Sequence, residues 1–258
     1  MDADVDTAEK LTGAVLITGV GRRGAIGHTT ARLLAERGRD IAFTYWSPYE
    51  RRAGLPWESN GVDTIRAELE AFGVRVLPIE VDFTDAEAVE AIVVTAAAAL
   101  GPVSGLVLAH SESIDSSILT TTLESFDRHF AVNVRAAWQL IAAVARQVPE
   151  GEGRIVAFTS DHVVDNMPYG ASKGALDRIV IAAARELGHL GLTANLINPG
   201  PVDTGWMTDE VRAHLTAMQP TGRLGTPDDA ARLVDFLLSP AGRWISGQLL
   251  TSDGGFSV

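Results

Sequence analysis

Two stretches of this chain carry residue types whose spacing could do chemistry. The first is Tyr169-Gly-Ala-Ser-Lys173. Residues four apart share a face of a helix. A lysine ammonium beside a phenol stabilises the phenolate and lowers the tyrosine pKa. A tyrosine so placed can exchange a proton with an alcohol or a carbonyl near neutral pH. A helix-surface pair with no role has the same spelling, so the motif needs a context. The second stretch, residues 14–37, supplies one. The apolar run Ala14 to Thr18 reads as a buried parallel strand. Gly19, Gly21, Gly24 and Gly27 follow, and from about Ile26 apolar residues recur at helical spacing until Gly38. Strand, glycine loop and helix in that order form a phosphate cradle. Without Cβ atoms the loop backbone can approach a pyrophosphate, and the helix N-terminus presents free N–H groups. The strict G-x-G-x-x-G is met by Gly19, Gly21 and Gly24, a loose pattern that an ordinary glycine-rich turn also satisfies.

The elements between these stretches decide whether they can meet. Further strands are expected at Asp40 to Trp46, Arg75 to Val81, Gly105 to Ala109, Arg154 to Thr159, Thr193 to Ile197 and Gln248 to Thr251. Helices are expected at Asp63 to Phe72, Asp85 to Leu100, Leu123 to Val148, Tyr169 to Leu187 and Pro227 to Leu238. Residues 47–61, with two prolines and two glycines, read as a loop, and residues 199–222 lack a clear period. Strand and helix alternate throughout. That predicts an α/β fold: a single Rossmann-type domain over 13–258 after a mobile tail at 1–12, with a doubly wound parallel sheet of about seven strands and helices on both faces. Both motifs then fall at the carboxyl edge of the sheet, where ligands of open α/β folds bind.

Composition narrows the partners. At 258 residues the chain can bury a large core, and its net charge of −12 argues against nucleic acid or an anionic membrane as partner. There are no cysteines, which excludes disulfides and thiol-ligated metal and fits a cytoplasmic protein. Met1 to Lys10 is acidic and polar, unlike a signal peptide, and no apolar run approaches the length of a membrane span.

Over nearly its whole length the chain resembles the short-chain dehydrogenases/reductases, and in particular β-ketoacyl-carrier-protein reductase-like members. The matching stretches are Thr18-Gly19 with the glycine loop, Val81-Asp82, Asn133-Val-Arg-Ala, Thr159-Ser160, Tyr169-x-x-x-Lys173, Asn198-Pro199-Gly200-Pro201 with Thr204, and Ser252-Asp253-Gly254-Gly255. The resemblance implies that Tyr169 is the general acid/base. Lys173 would lower its pKa and hold the nicotinamide ribose, Ser160 would bond the substrate oxygen, and Asn133 would hold a relay water. It implies that Asp82 borders the adenine and that Val202 and Thr204 contact the nicotinamide carboxamide, with Pro199 and Gly200 beside them. It also implies a homotetramer, consistent with the apolar stretch from Trp244 to Val258.

Three departures from the family pattern stand out. The glycine loop is one or two residues longer than usual, with a spacing closer to the enoyl-reductase branch. Leu108-Ala109-His110-Ser111 replaces the Asn-Asn-Ala-Gly that follows the fourth strand, and Phe83 stands where a small aliphatic residue is common. Ser160 precedes Tyr169 by only nine positions, so Thr159 or His162 could take its place. His110 reads as structural more readily than as a substrate-side acid/base.

The expected function is hydride transfer between a nicotinamide coenzyme and a small carbonyl or secondary alcohol. The alternatives are an enoyl reductase and a catalytically silent coenzyme-binding protein. Coenzyme choice is read from the second strand. Asp40 lies at its start, the wrong end of the sheet, and its carboxyl end Phe43-Thr44-Tyr45-Trp46 carries no acid. Arg22 or Arg23 in the glycine loop could pair with a 2′-phosphate, with Thr44 or Tyr45 donating a hydroxyl, so NADP is expected over NAD. The expected substrate loop, residues 204–222, carries Trp206, Met207, Leu215 and Met218 and suggests an apolar pocket wall.

Overall fold

The computed structural model describes residues 13–56, 58–205 and 207–258. The expected tail at 1–12 and Trp206 lie outside the described residues. Seven strands form one parallel sheet in the order β3-β2-β1-β4-β5-β6-β7. They are β1 (Ala14–Thr18), β2 (Ile41–Tyr45), β3 (Val76–Glu80), β4 (Val103–Leu108), β5 (Arg154–Phe158), β6 (Thr193–Asn198) and β7 (Leu249–Thr251). β1, β4, β5 and β6 are buried at every position, which their near-continuous apolar sequences require.

Helices cover both faces. On one side α1 (Ile26–Glu36), α3 (Gly61–Glu70) and α9 (Pro227–Leu238) pack Ala31, Leu34, Ile65, Leu69 and Val234 against Val15, Ile17, Phe43 and Val107. On the other, α4 (Ala86–Leu100), α6 (Ala136–Gln147) and α7 (Met167–Glu186) pack Ile92, Leu140 and Leu176 against Leu16, Leu106 and Ile155. The chain reverses its direction of winding between β1 and β4, and the crevice of an open α/β sheet opens at that point.

Two segments without a readable period are helical. Residues 47–61 were expected as a loop but contain α2 (Ser47–Arg52). Pro48 sits in the first turn of α2, where a missing N–H costs nothing, so the proline does not break the helix. Inside 199–222 lies α8 (Asp209–Met218), capped by the Thr208 hydroxyl, which accepts from the Val211 N–H. The long helix expected at 123–148 is α5 (Leu123–Phe130) joined to α6 by a π-helical turn at Ala131–Arg135. Such turns often sit at functional sites, and this one carries Asn133.

Candidate active site

A cavity of about 660 Å³ opens at the carboxyl ends of the strands. The glycine loop forms one wall. Gly19 has φ of 76°, and a Cβ there would lie 2.8 Å from the backbone of Ala109 and His110. A Cβ on Gly27 would lie 2.6 Å from the Gly19 carbonyl, so only glycine lets α1 approach β1 this closely. The N-terminus of α1 has no side-chain cap and no acid in its first turn, and Ala25, Ile26 and Gly27 line the cavity. These free N–H groups suit an anion. Gly24, at φ 74°, and Gly21 shape the loop without lining the cavity.

The two loop arginines part company. Arg22 lines the cavity, and its Nη1 donates to the Thr204 carbonyl at 2.7 Å. Arg23 is not on the wall: it points outward, with its Nε 3.8 Å from Glu68. Thr44 and Tyr45 both line the cavity, but the Thr44 hydroxyl already accepts from the Gly19 N–H at 3.4 Å. Asp82 also lines it while accepting from the Thr84 N–H at 2.8 Å. On the far side stand Pro199, Gly200, Val202 and Thr204. Gly200 is at φ 60°, and a side chain there would strike Asp253, the aspartate of the Ser-Asp-Gly-Gly motif.

The end of β5 fixes the face of α7. Three consecutive residues each meet one side chain spaced four apart on that helix. The Phe158 carbonyl accepts from Lys173 Nζ at 2.8 Å. The Thr159 hydroxyl lies on the side of Asp177, and the Ser160 hydroxyl on the side of the Tyr169 phenol, near enough to act on each pKa. Ser160, Tyr169 and Lys173 all line the cavity. The nine-residue gap is therefore long enough for Ser160 to reach the cavity wall, which Thr159 and His162 also line. The loop closes tightly, with Asp165 at φ 62° and the His162 ring edge-on to Tyr169 at 6.5 Å.

The electrostatics differ from expectation in one respect. Burial raises the Tyr169 pKa, the bond from Ser160 lowers it, and Asp161 raises it. The lowering expected from Lys173 is not among these effects; the ammonium stands 5.6 Å from the phenol ring centroid and donates to the Phe158 carbonyl. Lys173 is itself pushed down to about 8 by burial, with Asp177 pulling the other way.

Asn133 lies behind the cavity wall rather than on it. Its carboxamide is fully engaged. Oδ1 accepts from the Glu112 N–H at 2.8 Å, and Nδ2 donates to the Glu112 carbonyl and to Ser172 Oγ, each at 2.9 Å. Ser172 in turn donates to the Tyr169 carbonyl at 2.7 Å. Asn133 thus ties the loop after β4 to the helix that carries Tyr169.

The unusual residues explain one another. His110 is buried, with Nε2 donating to the Val132 carbonyl at 3.0 Å and Nδ1 accepting from the Thr18 hydroxyl at 2.6 Å. That tautomer is assigned from the bonding pattern. Phe83 packs on the same ring, with centroids 4.2 Å apart. Burial and the nearby Lys173 charge push the His110 pKa down to about 3, so the ring is neutral. The histidine and phenylalanine together fill the space where the family pattern has small residues, and the histidine still steadies β1, β4 and the π-helical turn.

Comparison with known proteins places this arrangement. The sequence model of a family described as enoyl-(acyl carrier protein) reductase matches residues 19–257. The uncharacterized oxidoreductase YjdA of Bacillus subtilis (strain 168) is 37% identical, over 93% of this chain and 95% of that one. A short chain dehydrogenase from Burkholderia cenocepacia J2315, solved with NADP, superposes with a TM-score of 0.84 at 35% identity, covering 95% of this chain and 98% of that one. This chain belongs to the short-chain dehydrogenase/reductase family. A blue fluorescent protein from a metagenomic library, solved with NADPH, superposes at TM-score 0.86 and 34% identity, covering 97% of this chain and all of that one. As a short-chain dehydrogenase/reductase the chain is an oxidoreductase, as its motifs implied. None of its described helices is long and apolar enough to cross a membrane.

Sequence reasoning missed Glu50, Ser172 and Asp177 in this short-chain dehydrogenase/reductase, and it noted Arg52 after the second strand without its partner Glu112. Glu50 is buried against the glycine loop. Arg52 Nη2 clasps both oxygens of the buried Glu112 at 2.7 and 2.8 Å, joining α2 to the loop after β4. Ser172 and Asp177 back the two catalytic candidates on α7. Only Asp177 had a local signal, the spacing of four from Lys173.

Proposed function

We propose that this enzyme reduces a carbonyl, or oxidises the corresponding secondary alcohol, using NADP(H), with Tyr169 as general acid/base. The observation that carries the reading is that Ser160 and Tyr169 stand on the wall of the cavity that the glycine loop opens into, close enough for Ser160 to lower the Tyr169 pKa. The cavity fits a dinucleotide phosphate: α1 keeps its N-terminal N–H groups free, Gly19 and Gly27 clear the approach, and Arg22 faces in. The NADP and NADPH bound by the two solved relatives support the coenzyme. Bound there, NADPH supplies the hydride.

The chain's own residues supply the rest. Ser160 and Tyr169 donate hydrogen bonds to one carbonyl oxygen, which polarises it and aims its carbon. The raised pKa of Tyr169 keeps its proton on the oxygen until the substrate takes it, which suits the reductive direction. Lys173 holds its end of α7 to β5 and offers its remaining N–H donors to the coenzyme ribose. Asn133 acts as a positioning residue through Ser172. Met207 and Val211 give the substrate side an apolar wall.

The matching family description names enoyl reduction. Two hydroxyls this close on the wall favour a carbonyl oxygen as their target instead. The test follows NADPH absorbance over a panel of aldehydes, ketones and enoyl thioesters. Turnover of a carbonyl compound is expected; turnover of enoyl thioesters alone would overturn the reading.

A further inference from the structure

A side chain outside the cavity holds the glycine loop from behind. His28 lies in the first turn of α1 and is 6% exposed. Its Nδ1 accepts from the Gly24 N–H at 3.2 Å, and its Nε2 lies 3.2 Å from Oε2 of Glu68 on α3. A backbone N–H can only donate, so Nδ1 is assigned no proton and Nε2 donates to the carboxylate. Gly24 is at φ 74°, and Ala25, Ile26 and Gly27 on the cavity wall come directly after it. The imidazole thus joins the residue at which the loop turns into α1 to the neighbouring helix.

These contacts admit one protonation state. A proton added at Nδ1 would set a donor against the Gly24 N–H, and one of the two would have to move. Three charged groups face the ring: Glu68 from α3, Arg23 from the loop and Arg32 from α1. Burial pushes the imidazole below its ordinary range, Glu68 pulls it back, and both arginines push with the burial. The ring is therefore neutral at neutral pH and charges only in acid. We propose that His28 is a positioning residue for the coenzyme: as a neutral acceptor it fixes Gly24 and so aims the N–H groups at the start of α1, and its protonation releases them. This rests on the proposed NADP(H) function.

The experiment titrates NADP+ against the wild type, H28N and H28L from about pH 7.5 down to about pH 5, following intrinsic fluorescence. Asparagine places an oxygen near the position of Nδ1, accepts from Gly24 and does not titrate; leucine accepts nothing. At the upper pH H28N binds within about threefold of the wild type, whereas H28L binds on the order of tenfold more weakly, the scale of one lost hydrogen bond. In acid the wild type weakens towards H28L, while H28N keeps only the weakening that comes from titration of the coenzyme's own phosphate. Nitrogen-15 NMR of the coenzyme-free wild type decides the matter if H28L does not fold: the Gly24 amide shift moves with the His28 ring at one midpoint, below the ordinary histidine value of 6.5. H28L binding like the wild type at the upper pH, H28N following the wild-type pH curve, or a Gly24 amide indifferent to the His28 titration would each overturn the proposal. A wild type that binds no NADP+ while the Gly24 amide still follows His28 would overturn the proposed function instead.

Discussion

Replacing Lys173 by methionine should make this protein more stable at neutral pH while crippling its chemistry. Lys173 is 3% exposed, and burial holds its pKa at about 8 against an ordinary value of 10.5. The folded state therefore binds fewer protons than the unfolded chain between those two values, and stability rises with pH across that window. Below the folded pKa the penalty for burying the charge is fully present. A difference of 10.5 − 8 units corresponds to about 3 kcal/mol at 1.36 kcal/mol per unit. Methionine removes that penalty and keeps an unbranched stem of similar length. It also leaves the Phe158 carbonyl without its 2.8 Å partner, which gives back roughly 1–2 kcal/mol. The net expectation is a gain of about 1–2 kcal/mol at pH 7, or roughly 2–8 °C in Tm for a domain of this size. By about pH 9.5 most of the penalty has gone from the wild type too, so the advantage of K173M shrinks or reverses. Differential scanning calorimetry of both proteins at the two pH values measures this. A K173M protein less stable than the wild type by the same amount at both pH values would refute the account. Reductase activity should fall steeply at either pH, so the lysine is kept at a cost in stability.

Other outcomes follow from the site. Arg22→Ala should weaken NADPH binding roughly 10- to 100-fold relative to NADH, the loss of a charge-assisted contact to phosphate, whereas Arg23→Ala should leave the ratio unchanged, as titration with both coenzymes will show. Tyr169→Phe should lower kcat by about 10²- to 10⁴-fold without changing the Kd for NADPH; a kcat near that of the wild type would sink the proton-transfer role. His110→Ala deletes two hydrogen bonds and the ring under Phe83, and thermal unfolding should show a loss of about 3 kcal/mol. Light scattering should give a homotetramer, since Trp244 is 98% exposed and Leu249 and Val258 stand exposed with it; a monomer at micromolar concentration would count against it.

Much of the fold was legible because it is written in local patterns. The buried parallel strands read as apolar runs, and β1, β5 and β6 fall within a residue of their expected limits. The glycine loop announced α1, and the helix expected at Pro227 to Leu238 is α9, where the structure adds a capping box between Thr226 and Asp229. What failed was helix inside proline- and glycine-rich sequence. In α2 the proline falls at the one turn that tolerates it, and α8 buries none of its residues, so it has no apolar stripe to display.

The site divides along the same line. Tyr169 and Lys173 are one helical turn apart, so their common face is readable from spacing alone. Glu50, by contrast, meets Gly21 across 29 positions, and Arg52 meets Glu112 across 60. Nothing in either local sequence marks these partners. The electrostatic expectation failed for a related reason: a motif names the charge beside a phenol but not the burial around it. For Tyr169 the burial is the larger effect, and it reverses the sign of the shift. His110 and Phe83 show how departures can be linked. Each taken singly looks like damage to a family pattern, since a large ring stands where a small residue is usual. In contact they fill one space, with the histidine bonding Thr18 and Val132 as well. Two departures 27 positions apart are thus one repacking, and it leaves the wall that carries Ser160 and Tyr169 in place.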